Sequence, residues 1–254
     1  MPTKTLSQKA LDVIYEYLNL KIGDETISCS YFNNDKNKLR GALRVLIGKG
    51  RASEISEEVQ VIAKREHIDL ADLRGQELKK FLVEHNLGID CSGLVFYILE
   101  AEFASQGRNL KLNFLSKNFL RKIIARFRKI ENTSVRVLAH DVNSRKINLV
   151  DIEPGDMIVM IDFGESVVQD HVVIVHQVKY DESDKPVQIY YTHSLSWRID
   201  GRYNHGVRQG VIQIRDLEKN LLEQKWIEQE KEGEENETLE RARKSRILEI
   251  RRMK

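Results

Sequence analysis

The chain has 254 residues, and its 41 basic and 39 acidic side chains leave a net charge of only +2, which predicts neither a nucleic-acid partner nor a membrane partner. Its two cysteines, Cys29 and Cys91, exclude a disulfide framework, leave a single bridge open, and favour a reducing compartment or a catalytic thiol. No apolar run is long enough to cross a bilayer, and the N-terminus has no apolar signal segment. We therefore expect a cytoplasmic protein, and signal-independent release stays open.

The first part of the chain, residues 1–85, is expected to form a helical region. Apolar residues between Leu6 and Leu18 recur at helical spacing and predict the first helix. Similar patterns predict further helices at about 33–48, 54–65 and 70–85. The two glycines that flank Lys49 lack the spacing of a phosphate-binding loop, so we interpret that stretch as a helix terminus.

The stretch from Gly88 to Phe96 places a cysteine between small polar residues and an apolar run of helical spacing. The pattern predicts a helix over 91–106, with Asp90, Cys91 and Ser92 at or just before its N-terminus. Unpaired backbone N–H groups and the positive end of the macrodipole lie there, a setting that lowers a thiol pKa and offers donors to an oxyanion. Taken alone, Cys91 is still more often an ordinary buried cysteine.

A change of hydrophobic period follows the next helix. Residues 116–129 predict a basic amphipathic helix with a solvated face, and nucleic-acid binding is the sharper alternative. From Ser134 the period becomes two, which predicts strands around 135–137, 147–150, 157–161, 171–180, 186–194 and 206–214. Because the later strands follow one another without intervening helices, we expect an antiparallel sheet and an α+β fold.

The last part of the chain, residues 216–254, is dense in charge, first mostly acidic and then mostly basic. A few apolar residues, such as Trp226 and Leu248, could pack on the body of the protein. We expect a charged helical extension that is solvated or contacts a protein partner.

Two histidines on neighbouring predicted strands are candidate catalytic partners of Cys91. A strong turn signal at Asp181–Lys185 predicts a hairpin, and residue 182, inside that turn, is the midpoint between His171 and His193. Their side chains would then share one face of the sheet, with Cβ atoms roughly 5 Å apart. His176 lies five residues beyond His171, so it faces the other side and receives no role. Together Cys91, His171 and His193 suit nucleophilic thiol chemistry.

Four short segments carry a resemblance to a known family. Asp90–Val95, with the sequence Asp-Cys-Ser-Gly-Leu-Val, resembles the signature of the NlpC/P60 cysteine peptidases, which belong to the papain-like superfamily. Three further segments resemble family motifs in the family's order: Pro154–Ile158, His171–Val175 and Tyr191–His193. The chain lacks the aromatic-Gly-Gly stretch, with its site-shaping tyrosine, that the family usually carries upstream of the cysteine. It also has a longer insertion before Pro154.

The resemblance implies a papain-like core over residues 86–215, with a nucleophile-bearing helix packed on an antiparallel sheet, between the helical region 1–85 and the extension 216–254. It makes Cys91 the nucleophile, His171 the base and His193 the residue that orients the base. Asp90 and Ser92 would lie beside the oxyanion. The implied substrate is a peptide or isopeptide amide, with a peptidoglycan stem peptide as the first candidate, and no cofactor is called for. Trp197 and Arg198, just beyond His193, are the residues expected to line the substrate pocket.

Two other functions stay open from the sequence. A binding or scaffold protein could keep the same fold and use its charged helical ends to contact partners. Alternatively, Cys91, His171 and His193 could hold a zinc ion, because three such ligands suffice for a catalytic metal with one open position.

Overall fold

The structure is a computed structural model, and it describes residues 1–34, 43–114, 124–125, 127–164, 169–197 and 199–254. Within these ranges the α-helices, numbered α1 to α6, are Gln8–Leu18, Ala52–Arg65, Gln76–Glu84, Cys91–Ser105, Val135–Ala139 and Glu237–Lys244. The strands, numbered β1 to β11, are Thr3–Thr5, Leu20–Ile22, Glu25–Ile27, Ser144–Ile147, Met157–Phe163, Gln169–Tyr180, Pro186–Leu195, Gly206–Gln213, Lys225–Glu228, Lys231–Glu232 and Ile247–Met253.

Most strands belong to one nine-stranded sheet in which the paired strands are antiparallel. Its order is β10-β9-β8-β7-β6-β5-β11-β4, and β1 joins it along β6. The predicted α+β class is confirmed in these general terms, since helices and an antiparallel sheet form the same body. Within the described ranges, no helix is both long and apolar enough to cross a membrane.

The two faces of the sheet carry separate apolar cores. Side chains alternate along β6, so that Val172 and Ile174 pack with the helices while Val173 and Val175 pack on the other face. The second face also holds Trp226 of β9. Burial on both faces explains why the middle strands read as continuous apolar runs rather than as a clean alternation.

The helix α4 is the centre of the first core. Asp90 begins it as the N-cap, with its Oδ1 accepting the backbone N–H of Gly93 at 2.6 Å. The helix is buried on nearly every side, and it packs on α1 and on β6. Gly107, in the left-handed region with φ 69°, follows its end. The predicted helix over 91–106 is confirmed to within one residue.

The region 1–85 contains the predicted first, third and fourth helices, but it is not only helical. Strand β1 pairs with β6, with Thr3 opposite Lys179, so this region joins the main sheet. The predicted helix at 33–48 falls partly on residues 35–42, which lie outside the described residues. Its last part, Arg44–Ile47, is one turn of 3₁₀-helix.

The segment between α4 and the sheet differs from the prediction. Most of the basic helix expected at 116–129 falls on residues 115–123 and 126, outside the described residues. The strand predicted at 135–137 is wrong, because this stretch is the short helix α5. Ser134 is its N-cap, and its Oγ accepts the backbone N–H of Val137 at 3.3 Å. Two valines with one residue between them are too short a pattern to separate period two from a helical turn.

The charged helical extension predicted over 216–254 is also wrong. This segment forms β9, β10, the short helix α6 and then β11, which lies between β5 and β4 in the sheet. The many charged side chains of this segment did not mean that it is exposed, because some of them are buried in ion pairs and hydrogen bonds. Arg251 of β11, for example, lies 3% exposed and bonds Ser144, Asp141 and Glu249. No long charged helix is present in this segment to contact a partner.

Candidate active site

Cys91 and His171 line one cavity of about 450 Å³ at the end of the sheet, where α4 begins and β6 starts. Asp90 and Ser92, predicted to lie beside the nucleophile, are in its wall. The cavity is further lined by Tyr31, Asn33, Asn34, Ile47, Lys49, Glu131, Thr133, Ser134, Val135, Phe163, Gln169, Asp170, Leu195 and Arg241.

Behind the cavity, three side chains form a buried chain of hydrogen bonds. His171 Nε2 lies 2.9 Å from His193 Nδ1, and His193 Nε2 lies 3.0 Å from Glu228 Oε1. All three are shielded from solvent, with Glu228 only 1% exposed. The predicted contact between the two histidines is therefore present. Glu228 comes from β9, inside the segment that was expected to be a solvated helix.

The register of β6 and β7 explains how the histidines meet. Ile174 pairs with Thr192 and Val175 with Tyr191, so continuing this register places His193 opposite Val173. The direct opposition predicted from the midpoint is therefore wrong by two residues. A shift of two preserves side-chain parity, so the rings still share a face and meet diagonally. His176 faces the other way, as predicted, and its Nδ1 lies 3.0 Å from Thr192 Oγ1.

Glu228 is held by groups from several elements. The hydroxyls of Tyr191 and Thr238 donate to its Oε2 at 2.7 and 3.1 Å, and Arg208 Nε lies 3.8 Å from its Oε1. Burial raises the pKa of Glu228, but His193, Tyr191 and Arg208 outweigh burial and leave the pKa below its ordinary value. The carboxylate is therefore ionised at neutral pH.

The thiol of Cys91 does not have the lowered pKa that a helix N-terminus predicts. Burial, and next the charge of Asp90, raise its pKa to about 12, against the opposing effects of Lys49 and of the backbone N–H groups of Val172 and Ser92. Desolvation of the thiolate thus outweighs the helix terminus. The thiol is neutral in this resting structure.

The imidazole of His171 is also neutral at rest. Burial, and next the adjacent His193, hold its pKa well below the ordinary value of 6.5. Its strand partner is Met160, whose side chain lies on the face opposite α4, whereas Cys91 lies on the α4 face. Thiol and imidazole therefore reach the cavity from opposite faces, around the start of β6. Among the described residues, the His171 ring is hydrogen-bonded only to His193.

Lys49 is a site residue that the sequence interpretation missed. Its Nζ lies 2.7 Å from Asp90 Oδ2 and donates to Ser92 Oγ at 2.6 Å and to the Thr133 carbonyl at 2.9 Å. The preceding Gly48 adopts φ 74°, and its carbonyl accepts the backbone N–H of Asp90 at 2.9 Å. The Gly-Lys-Gly pattern was the available signal, and it marks a tight turn that delivers a lysine to the nucleophile's helix.

Tyr31 was missed as well, although the resemblance predicts a tyrosine in this part of the site. It lines the cavity beside Cys91, and its hydroxyl accepts the Asn33 side-chain N–H at 2.6 Å. Burial, and next the charges of Cys91 and Asp90, raise the pKa of Tyr31, so its hydroxyl keeps its proton. Gly88 makes this approach possible, because a Cβ there would lie 2.3 Å from the Ser30 carbonyl oxygen.

Neither Trp197 nor Arg198, the two residues predicted to line the substrate pocket, is found among the described residues that line the cavity. Trp197 does not line the cavity: it is fully buried, its indole N–H donates to Thr238 Oγ1 at 3.3 Å, and the Arg208 guanidinium lies 4.7 Å from its ring centre. It therefore supports the groups around Glu228. Arg198 lies outside the described residues. Arg241 of α6 is a cavity residue instead.

Whole-chain comparisons add no relative to this picture. No family model matches the chain, and no curated protein or solved structure matches it. The resemblance to NlpC/P60 peptidases rests on the four short motifs and stays a prediction.

The predicted zinc alternative does not fit the geometry. The facing nitrogens of His171 and His193 point at each other, and the second nitrogen of His193 points at Glu228. In the described part of the chain, no group of three His, Cys, Asp or Glu side chains converges as metal ligands. The arrangement suits proton transfer between side chains rather than metal coordination.

Proposed function

We propose that this protein is a cysteine hydrolase of papain-like, NlpC/P60 type that cleaves a peptide or isopeptide amide, with a cell-wall stem peptide as the first candidate substrate. The observation that supports it is the shared cavity of Cys91 and His171, with His171 bonded through its Nε2 to His193. That contact leaves Nδ1 of His171 as the nitrogen that serves the thiol. A thiol, a base and a group that orients the base are the parts that acyl transfer needs.

In the proposed reaction, His171 Nδ1 takes the thiol proton as the Cys91 sulfur adds to the carbonyl carbon. Asp90 caps the N–H of Gly93, so we assign the N–H groups of Cys91 and Ser92, together with the Tyr31 hydroxyl, to the oxyanion. His171 then protonates the leaving amine, and an acyl-thioester remains on Cys91. Water hydrolyses this thioester with His171 again acting as base, which restores the thiol.

The neutral ground state determines how the thiol is activated. Because burial disfavours both the thiolate and the imidazolium, an ion pair does not form in advance. The thiol proton moves to His171 while the sulfur attacks, as in general-base catalysis. The energy needed to form the imidazolium and the oxyanion is offset by the hydrogen bonds that the oxyanion accepts.

The test uses the full chain and a p-nitrophenyl ester of an N-acyl amino acid, followed by isolated stem peptides. Wild type should release about one equivalent of nitrophenol in a burst and carry the acyl group on Cys91, because acylation precedes hydrolysis. The Cys91→Ser variant should show no burst. Cys29→Ala, which removes the other buried thiol, is the matched control and should keep it. No burst from folded wild type, or an equal burst from C91S, would contradict the proposal.

A scaffold protein that keeps the fold without catalysis is the second candidate. It is favoured by one observation, the burial of the Cys91 side chain, which is only 7% exposed and whose thiol pKa that burial raises. On that hypothesis the wild-type chain shows no burst. The Cys91→Ala variant then loses only the stability that a small cavity costs at neutral pH, and its binding activity is unchanged.

A further inference from the structure

Glu228 is a fully buried, ionised side chain that none of the sequence motifs contains. Burying a carboxylate is expensive unless it is paired and hydrogen-bonded. Its two oxygens face His193, the hydroxyls of Tyr191 and Thr238, and the guanidinium of Arg208. These partners come from β7, α6 and β8, so the fold brings three elements together around one charge.

The ionised carboxylate fixes the proton positions along the chain of hydrogen bonds. A carboxylate only accepts, so His193 must donate from Nε2 to Glu228. If that is the one proton that His193 carries, its Nδ1 accepts and His171 donates to it from Nε2. This leaves Nδ1 of His171 without a proton, which is the form that a base for Cys91 requires.

We propose that Glu228 is a positioning residue for the hydrolase: through His193 it sets the tautomer of His171 and stabilises the imidazolium that forms when His171 takes the Cys91 proton. This inference rests on the proposed function. Glu228 does not touch the cavity, and no proton passes to it. When the thiol proton reaches Nδ1, His171 becomes cationic with its Nε2–H still bonded to His193, and the charge of Glu228 acts across the His193 ring.

Other charged and titratable groups lie near the hydrogen-bonded series His171–His193–Glu228, and a pH experiment has to take them into account. Those near Glu228 and His193 are Tyr191, Arg208, and Asp200, which pairs with Arg208 at 2.6 Å and with Lys231 at 3.6 Å. Arg241 is the charged side chain that lowers the pKa of His171, after burial and His193. Of these groups Tyr191 has its pKa raised by burial and next by Glu228, but that pKa lies well above 10, so a shift of the acid limb in the Glu228 variant reports the lost carboxylate.

The deciding variant is Glu228→Gln, which keeps the shape and can still accept from His193 while losing the charge. With the p-nitrophenyl ester as probe, we expect kcat/KM to fall by about 10–100-fold, by analogy with losing the outer hydrogen-bond partner of a metal-binding histidine. We also expect the acid limb of its pH profile to move to lower pH, because the imidazolium loses a stabilising charge. Glu232→Gln, on the half-exposed neighbouring strand, is the matched control and should leave both unchanged.

A change in packing alone would reduce kcat/KM without moving the acid limb, and that outcome would overturn the inference. If E228Q does not fold, ¹⁵N NMR of histidine-labelled wild type decides, with H171Q and H193Q used for assignment. We expect both rings as Nε2–H tautomers at neutral pH; an Nδ1–H tautomer on His193 would overturn the inference. Active wild type with an unchanged E228Q profile contradicts only the role of Glu228, whereas inactive wild type contradicts the hydrolase itself.

Discussion

Lys49 and Asp90 form a buried ion pair directly behind the candidate nucleophile, and a single residue change there should affect both stability and the thiol. Lys49→Met leaves the Asp90 charge without its partner, so we expect about 3 kcal/mol lower stability and a further rise in the pKa of Cys91. Urea unfolding and the rate of Cys91 alkylation against pH measure the two effects.

The matched control for that prediction is the double variant Lys49→Met with Asp90→Asn, which removes both charges. Its loss of stability should be smaller than the sum of the two single losses, because neither buried charge is left unpaired. Strict additivity would show that the two side chains act independently and would contradict the role assigned to Lys49.

At the scale of elements, hydrophobic periodicity predicted those helices and strands whose formation depends on the local sequence. The helix beginning at Cys91 and the hairpin of β6 and β7 have strong patterns and a strong turn between them, so both were found. Even a register error of two residues kept His171 and His193 on one face, since parity repeats every two residues. Lys49, Tyr31 and Glu228 could not be found this way. They reach the site through tertiary contacts, and a charged residue in a charge-rich segment carries no sign of its burial.

The hairpin of β6 and β7 should also make the protein sensitive to acid. Burial lowers the pKa of His176 to about 4, below the 6.5 expected in the unfolded chain. The native state thus binds its proton less readily, so this contribution is complete above pH 6.5 and declines as the pH falls toward 4. His176→Gln should remove roughly 3 kcal/mol of that decline. Urea midpoints measured between pH 4 and 7 test this.

His67→Asn is the control for the histidine prediction. His67 is exposed and has φ 58°, a conformation that asparagine also accepts, so its replacement should leave the acid sensitivity as it is in wild type. An H176Q variant that loses stability toward acid as steeply as wild type would show that His176 is not the group responsible.

At the scale of the whole molecule, the candidate site is assembled from the full length of the chain. Tyr31 and Lys49 come from the first segment, Cys91 from the central helix, the histidines from the middle of the sheet, and Glu228 from the last segment. The sheet itself is completed only by β11, which fills the space between β5 and β4. The core of residues 86–215 suggested by the motifs therefore lacks both the strand that joins β4 to the sheet and the buried carboxylate.

This closure predicts that the chain cannot be shortened at its C-terminus. Ending it at Arg246 removes β11, leaves the facing edges of β5 and β4 without hydrogen-bond partners, and exposes the apolar side chains of the second core that Ile250 covers. We expect a chain that aggregates or lacks a cooperative thermal transition, measured by circular dichroism. Ile250→Ala in the full chain is the control and should unfold cooperatively, with stability reduced by about 2–4 kcal/mol. A soluble, cooperatively folding chain ending at residue 246 would show that β11 is an appendage and that the sheet closes without it.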